Sequence, residues 1–130
     1  MKITGIVFSG AKEASKYMDM IEYKERFNSI LGFVPFSGTL NLKVADEDIP
    51  KIEKLEPIII DGFSVGEKKF DSIKCYKVSI LGKSAAIVIP ENSRYKKYNI
   101  SAIEIVSSAS LRESLNLKDG DSLEVELPGL

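Results

Sequence analysis

Residues 70–89, FDSIKCYKVSILGKSAAIVI, decide the fold. Two runs rich in apolar side chains, 70–81 and 84–89, flank the dipeptide Gly82-Lys83. A glycine between two such runs is typical of a tight hairpin turn, so the sequence predicts a long β-hairpin. Cys75, the single cysteine, lies within the apolar alternation of the first strand and is expected to be a small buried hydrophobic side chain. With one thiol, neither a disulfide nor a paired-cysteine metal site can form within the chain.

The segments on either side of this hairpin show the same alternation. In residues 39–44, Leu40, Leu42 and Val44 share one face of the predicted strand. The other predicted strands are 2–9, 58–60, 102–106 and 122–127. Residues 118–121, Lys-Asp-Gly-Asp, predict a tight turn into the last of them.

Helical periodicity is confined to short segments. Apolar side chains recur at helical spacing within residues 17–31, which predicts a helix that Gly32 ends. The buried face of that helix is expected to consist of Tyr23, Phe27, Ile30 and Leu31. A short helix is predicted over 49–55, and another after Ser110, which stands at capping-box spacing from Glu113. Residues 91–99 are polar and predict a loop.

These elements predict one mainly β domain over residues 1–130. Six or seven strands with two or three short helices favour a closed or nearly closed barrel, because closure hides the unpaired edges of the sheet. The length is sufficient for a single hydrophobic core.

The composition excludes several classes of chemistry. The chain contains no histidine, which rules out Ser-His-Asp and Cys-His nucleophilic sites and histidine-ligated metal centres. Its 18 basic and 19 acidic side chains give a net charge of −1, so no nucleic-acid partner is expected. No stretch approaches the ~20 apolar residues of a membrane helix, and no signal peptide is visible. We expect a soluble cytoplasmic protein with no membrane partner.

Two polar positions on predicted strands could carry chemistry. Thr39 and Asn41, two residues apart, project from one face, where hydroxyl and amide oxygens can meet a single Mg²⁺; the commoner reading of this pattern is a solvated polar face. Glu104 points away from Ile103 and Ile105. It is either a proton acceptor for a substrate hydroxyl or a surface glutamate on a half-exposed strand. Neither of the familiar glycine-rich phosphate loops occurs in the chain.

Sequence blocks over nearly the whole chain carry a family resemblance. In chain order they are Gly5-Ile-Val-Phe-Ser-Gly10, Tyr23-Lys-Glu-x-Phe27, Leu31-Gly-Phe-x-Pro35, Gly38-Thr-Leu-Asn-Leu-Lys43, Ala86-Ile-Val-Ile-Pro90, Ile103-Glu-Ile105 and Leu111-Arg-Glu-x-x-Asn-Leu-Lys-Asp-Gly-Asp121. In this order and at this separation they resemble the archaeal CTP-dependent riboflavin kinase family. The resemblance implies a small six-stranded Greek-key barrel of the cradle-loop type. It also implies transfer of the terminal phosphoryl group of CTP to the 5′-hydroxyl of riboflavin, giving FMN and CDP.

The resemblance further implies roles for individual residues. Thr39 and Asn41 match the pair that binds one Mg²⁺, and Glu104 matches a carboxylate beside the ribityl chain, the natural general base. Ser93 matches a hydroxyl that contacts the flavin. The nucleotide is implied to bind along Gly10, Ala11, Lys12, Glu13, Ala14, Ser15 and Lys16, and again along Ala109, Ser110, Leu111 and Arg112. The expected partners are therefore riboflavin or FMN and CTP or CDP, bound to a monomer or weak dimer.

One segment departs from the family pattern. Lys12 and Ala14 stand where relatives often carry glycines, which let the backbone approach phosphates closely. Either the loop takes a different path or Lys12 compensates by contacting phosphate, which leaves the preference for CTP over ATP open. Two other functions also stay open: a non-catalytic DNA-binding or regulatory barrel, and a flavin-binding protein without kinase activity.

Overall fold

The computed structural model describes residues 1–9, 18–89 and 101–129. The strands within them are β1 (Lys2–Phe8), β2 (Leu40–Lys43), β3 (Ile58–Ile60), β4 (Phe63–Val65), β5 (Lys68–Phe70), β6 (Ile73–Ile80), β7 (Lys83–Val88), β8 (Ala102–Ser107) and β9 (Ser122–Glu126). The helices are α1 (Ile21–Leu31), α2 (Asp48–Glu53) and α3 (Leu111–Ser114). Of the helices in this part of the chain, none is long and apolar enough to span a membrane.

Six of these strands close into a barrel. They are hydrogen-bonded antiparallel in the order β6-β7-β8-β2-β1-β9, and the pairing of Ser79 with Glu126 joins β9 back to β6. β3 adds to the first half of β6, while β4 and β5 form a separate hairpin. The predicted six-stranded barrel with two or three short helices is therefore confirmed.

The barrel interior is filled by alternate residues of each strand. In β1, Ile3 and Val7 are buried, whereas Ile6 on the opposite face is exposed. In β2, Leu40 and Leu42 join the same buried cluster. Since a slip of one residue would turn these side chains outward, the alternation fixes which face of each strand is inside.

A second apolar cluster covers part of the outer face of the sheet. Tyr23 and Phe27 of α1 are buried there together with Cys75 and Val106. Burial raises the pKa of the Cys75 thiol to about 11, so the group stays protonated at neutral pH, as expected of a small hydrophobic side chain. Gly32 ends α1 in the left-handed conformation (φ 81°), which confirms the predicted end of the helix.

The predicted strand 70–81 is divided in the structure. Phe70 ends β5, and β6 begins at Ile73. The rings of Phe63 and Phe70 stack with their centroids 5.1 Å apart, and both meet Tyr23 of α1 edge-on. The β4–β5 hairpin is thus tied to a helix distant in sequence, a contact that local alternation does not reveal.

Two smaller expectations are also corrected. Ile30 is 48% exposed, although the sequence placed it on the buried helical face. Leu31 beside it is only partly buried, so the last turn of α1 lies at the margin of the outer cluster. The β6–β7 turn is centred on Leu81 and Gly82 (φ 49° and 80°), one residue earlier than predicted, and two positive φ values are typical of a two-residue hairpin turn.

Gly5 lies where β1 passes close to β2. A Cβ atom at this position would lie 2.8 Å from the Cβ of Leu42, which a closed barrel cannot relieve without moving neighbouring strands. We expect Gly5→Ala to lower the free energy of unfolding by roughly 1–3 kcal/mol, measured by urea denaturation. Gly129→Ala, at a position with open space around it, is the control. Equal unfolding midpoints for the two variants would contradict the close approach.

Candidate functional site

Two buried polar side chains face each other on the outer surface of β2 and β8. Asn41 and Glu104 are direct partners in the antiparallel ladder, so both project from the same face. Their neighbours Leu40 and Ile105 belong to the barrel core on the opposite face. Asn41 is 1% exposed and Glu104 is 0% exposed. The readings of a solvated polar face and of a surface glutamate on a half-exposed strand are therefore wrong.

Thr39 connects the segment before β2 to this pair. Its Oγ1 donates a hydrogen bond to Oε1 of Glu104 at 2.5 Å. Because the hydroxyl is the donor in this hydrogen bond, the lone pairs of its oxygen remain able to accept a hydrogen bond or bind a cation. Thr39, Asn41 and Glu104 thus form one polar cluster.

Thr39 and Asn41 line an open pocket of about 110 Å³. The other lining residues come from the segment before β2, from β2 and β8, and from the start of α3: Phe36, Gly38, Leu40, Ile105, Ser107, Ala109, Ser110, Leu111 and Arg112. One pocket therefore unites the predicted metal-binding pair with all four residues of the predicted second nucleotide stretch. Glu104 is not among the lining residues and meets them through Thr39.

Phe36 is a lining residue that the sequence analysis missed. Phe36 is 42% exposed, and its backbone N–H donates to the carbonyl oxygen of Ser107 at 2.8 Å. Cε1 of the ring lies 3.1 Å from the position that a Cβ on Gly38 would take. Glycine at position 38 therefore lets the ring pack at the pocket, and no local periodicity in the sequence indicates this contact.

The wall formed by residues 109–112 is held by local hydrogen bonds. Ser107 Oγ donates to the carbonyl oxygen of Ala109 at 2.5 Å and accepts from the Ala109 N–H at 3.4 Å. Ser110 Oγ accepts from the backbone N–H of Glu113, as the capping-box spacing predicted. Leu111 is buried in the core. The backbone of this wall is thus fixed to the barrel before any ligand arrives.

Asp119 joins Arg112 to the end of β1. Its carboxylate accepts hydrogen bonds from Ser9 Oγ (2.9 and 3.1 Å) and from Arg112 Nη2 (2.9 Å). The hydrogen bond from Ser9 and, next, the one from Arg112 hold the pKa of the Asp119 carboxyl below its ordinary value of 3.8. The sequence identified Asp119 only as a turn residue, because its partners lie in other segments of the chain.

The oxygen donors of the pocket suit Mg²⁺ only together with other ligands. Among residues 1–9, 18–89 and 101–129, no group of three or more His, Cys, Asp or Glu side chains could hold a metal ion. Thr39 and Asn41 offer neutral oxygens, and Mg²⁺ commonly keeps several waters and takes substrate phosphates as further ligands. The pair therefore fits an ion that binds with a phosphorylated substrate better than a permanent structural ion.

The remaining predicted site residues lie outside the part of the chain that the structure describes. They are Gly10, Ala11, Lys12, Glu13, Ala14, Ser15 and Lys16 of the predicted phosphate-binding segment, and Ser93 of the predicted flavin contact. Their roles stay predictions from the sequence.

Comparison with known proteins finds relatives over nearly the whole chain. The family model CTP-dep_RFKase, described as "Domain of unknown function DUF120", matches residues 7–127. A riboflavin kinase of Archaeoglobus fulgidus is 38% identical over 130 residues, which cover 98% of this chain and 54% of the relative. The riboflavin kinase of Methanocella arvoryzae is 40% identical over 123 residues, or 95% and 55% of the two chains. That of Pyrobaculum aerophilum is 36% identical over 130 residues, or 98% and 60%. The chain spans just over half the length of these relatives.

Proposed function

Because the chain belongs to the CTP-dependent riboflavin kinase family, we propose that it transfers the terminal phosphoryl group of CTP to the 5′-hydroxyl of riboflavin, giving FMN and CDP. The observation that carries the proposal is that Thr39, Asn41 and residues 109–112 line the same pocket, and that Thr39 is hydrogen-bonded to Glu104. Phosphoryl transfer depends mainly on positioning and on neutralising phosphate charge. Oxygen ligands, a guanidinium and a carboxyl group in one region meet those requirements.

Thr39 and Asn41 would hold one Mg²⁺ in this enzyme. When bound, the ion would neutralise the charge of the phosphate oxygens and help to orient them. The Thr39 hydroxyl is already oriented by its hydrogen bond to Glu104, so its oxygen need not reorganise when the metal and nucleotide bind. Asn41 is almost fully buried, which restricts the movement of its amide. Preorganised ligands of this kind reduce the entropic cost of binding.

Arg112 would bind the phosphates in the same pocket. It is the cationic side chain among the lining residues, and a guanidinium forms strong, directional hydrogen bonds to phosphate oxygens. The wall that carries it is anchored through Ser107 and the Ser110 cap. The nucleotide would therefore be held by Arg112 on α3 together with the metal ion on Thr39 and Asn41.

Glu104 would accept the proton of the riboflavin hydroxyl. As the new oxygen–phosphorus bond forms and the bond to the CDP oxygen breaks, the hydroxyl proton would pass to the Glu104 carboxylate. Its complete burial separates that carboxylate from bulk water, which favours transfer to substrate over hydrolysis. Since Glu104 does not line the pocket, the proton would reach it through the Thr39 hydroxyl, which lines the pocket and donates to Oε1.

The proposed function also specifies CTP, among the nucleoside triphosphates, as the phosphoryl donor. The name of the matched family supports it, whereas the chemistry of the described pocket would accept the phosphates of any nucleoside triphosphate. Selection of CTP over other nucleoside triphosphates would then depend on side chains or backbone groups that contact the cytosine base.

Calorimetric titration of the protein with CDP and Mg²⁺, and separately with riboflavin, tests the assignment of substrates. We expect each ligand to saturate one site, and we expect Thr39→Val to weaken CDP–Mg²⁺ binding while riboflavin binding is retained. Riboflavin binding without nucleotide binding would indicate a flavin-binding protein instead of a kinase. Salt-dependent DNA binding in place of both would indicate a regulatory barrel.

A further inference from the structure

We infer that Asp119 is a positioning residue: it holds the Arg112 side chain in the orientation that binds the nucleotide. This inference rests on the proposed function. Asp119 does not line the pocket itself. It accepts one hydrogen bond from Arg112 and two contacts from Ser9, and so links α3 to the end of β1.

The turn that carries Asp119 is itself fixed to the barrel. The backbone N–H of Gly120 donates to the carbonyl oxygen of Val7 at 2.8 Å, and the N–H of Val7 donates to the carbonyl oxygen of Asp121, also at 2.8 Å. Within the turn, Asp121 Oδ2 accepts from the N–H of Lys118 at 2.7 Å. Asp119 is therefore presented by a rigid turn, and a rigid support is what a positioning residue requires.

The contact between Asp119 and Arg112 uses only part of the guanidinium. A single nitrogen, Nη2, meets Oδ1 of Asp119, whereas a guanidinium carries five N–H donors. Arg112 also lines the pocket, so its remaining donors are available to an anionic ligand there. The hydroxyl of Ser9 donates to the same carboxylate and limits its rotation. The direction in which Asp119 holds Arg112 is therefore fixed.

The location of the pair argues against a purely stabilising role. The side chains of Arg112 and Asp119 are 39% and 55% exposed, and exposed ion pairs contribute little to stability. The hydrogen bonds also hold the pKa of Asp119 below its ordinary value, so the carboxylate stays charged throughout the neutral range. A charged, rigid acceptor behind a pocket-lining arginine is better explained by orientation of that arginine for phosphate.

Asp119→Asn tests this inference, because asparagine keeps the size and one oxygen acceptor but removes the charge. We expect the dissociation constant of CDP with Mg²⁺, measured by calorimetry, to rise roughly 5- to 10-fold, while riboflavin affinity and the melting temperature stay unchanged. Glu124→Gln is the matched control, since Glu124 on β9 is also an exposed carboxylate and pairs with Lys2 on β1, away from Arg112. This control is expected to change CDP affinity less than about 2-fold.

A double-mutant cycle with Arg112→Met distinguishes positioning from an independent effect. If Asp119 acts through Arg112, Asp119→Asn will cause no further loss of CDP affinity in the Arg112→Met background. Additive losses, or wild-type CDP affinity in Asp119→Asn, would overturn the inference and leave the proposed function intact. Failure of the wild-type protein to bind CDP would overturn both.

Discussion

Thr39→Ala is expected to lower the turnover number for FMN formation at least ~10²-fold, because it removes a proposed metal ligand together with the hydrogen bond to Glu104. Asn41→Ala is expected to have an effect of similar size through loss of the amide oxygen. Both residues line the pocket, and both are close to the carboxyl group that would receive the proton. Steady-state kinetics at saturating CTP and riboflavin, with Mg²⁺ varied, measures these effects.

Thr39→Ser is the matched control for the first of these substitutions. Serine keeps the hydroxyl that donates to Glu104, so turnover is expected to stay within about 10-fold of wild type. Thermal unfolding of each variant establishes whether the barrel is intact. Near-normal turnover of folded Thr39→Ala and Asn41→Ala at saturating Mg²⁺ would contradict the metal assignment.

Glu104→Gln is expected to reduce turnover by ~10²- to 10⁴-fold, the usual contribution of a general base. Glutamine preserves the shape of the buried side chain and an oxygen that can accept from Thr39, so the loss would reflect the missing proton acceptor. CDP and riboflavin affinities are expected to change little. A pH series of the turnover number measures the role of the base directly.

The control for Glu104→Gln is Glu126→Gln, a change from carboxylate to amide on an exposed position of β9. It is expected to leave turnover unchanged across the pH series. Full activity of Glu104→Gln over the same range would make a catalytic carboxylate at this position untenable. A lower affinity for riboflavin with an unchanged turnover number at saturating riboflavin would assign Glu104 to substrate binding alone.

The barrel was largely predictable because its strands follow the alternation rule. Leu40 and Leu42 in β2, and Leu123 and Val125 in β9, are buried on the face that the sequence indicated. Gly32 marks the end of α1 for a reason that is local to the chain, its left-handed backbone. Such features depend on residues near in sequence, which is why the pattern alone reveals them.

Features that depend on distant contacts were not predictable from the pattern. Phe70 leaves the line of β6 because it stacks on Phe63 against α1. The alternation leaves Glu104 as either a proton acceptor or a surface glutamate, and only the fold shows that it is buried beside Asn41. Neither burial nor stacking has a signature within the strand concerned.

The site shows the same division. Thr39 and Asn41 were singled out by spacing, but only the family resemblance implied that they act with residues 109–112. Pairing of β2 with β8 brings these segments to one pocket. The sequence pattern does not indicate a role for Asp119 at the pocket, because its partners Ser9 and Arg112 lie in separate elements.

The most direct test of the proposed function is the formation of FMN from riboflavin and Mg²⁺, with CTP and ATP supplied in separate reactions and the flavins separated by chromatography. We expect FMN with CTP, accompanied by an equal amount of CDP, and little or none with ATP. FMN with ATP alone would retain the kinase and contradict the proposed donor. A folded protein that binds riboflavin but forms no FMN with either nucleotide would contradict the proposed function.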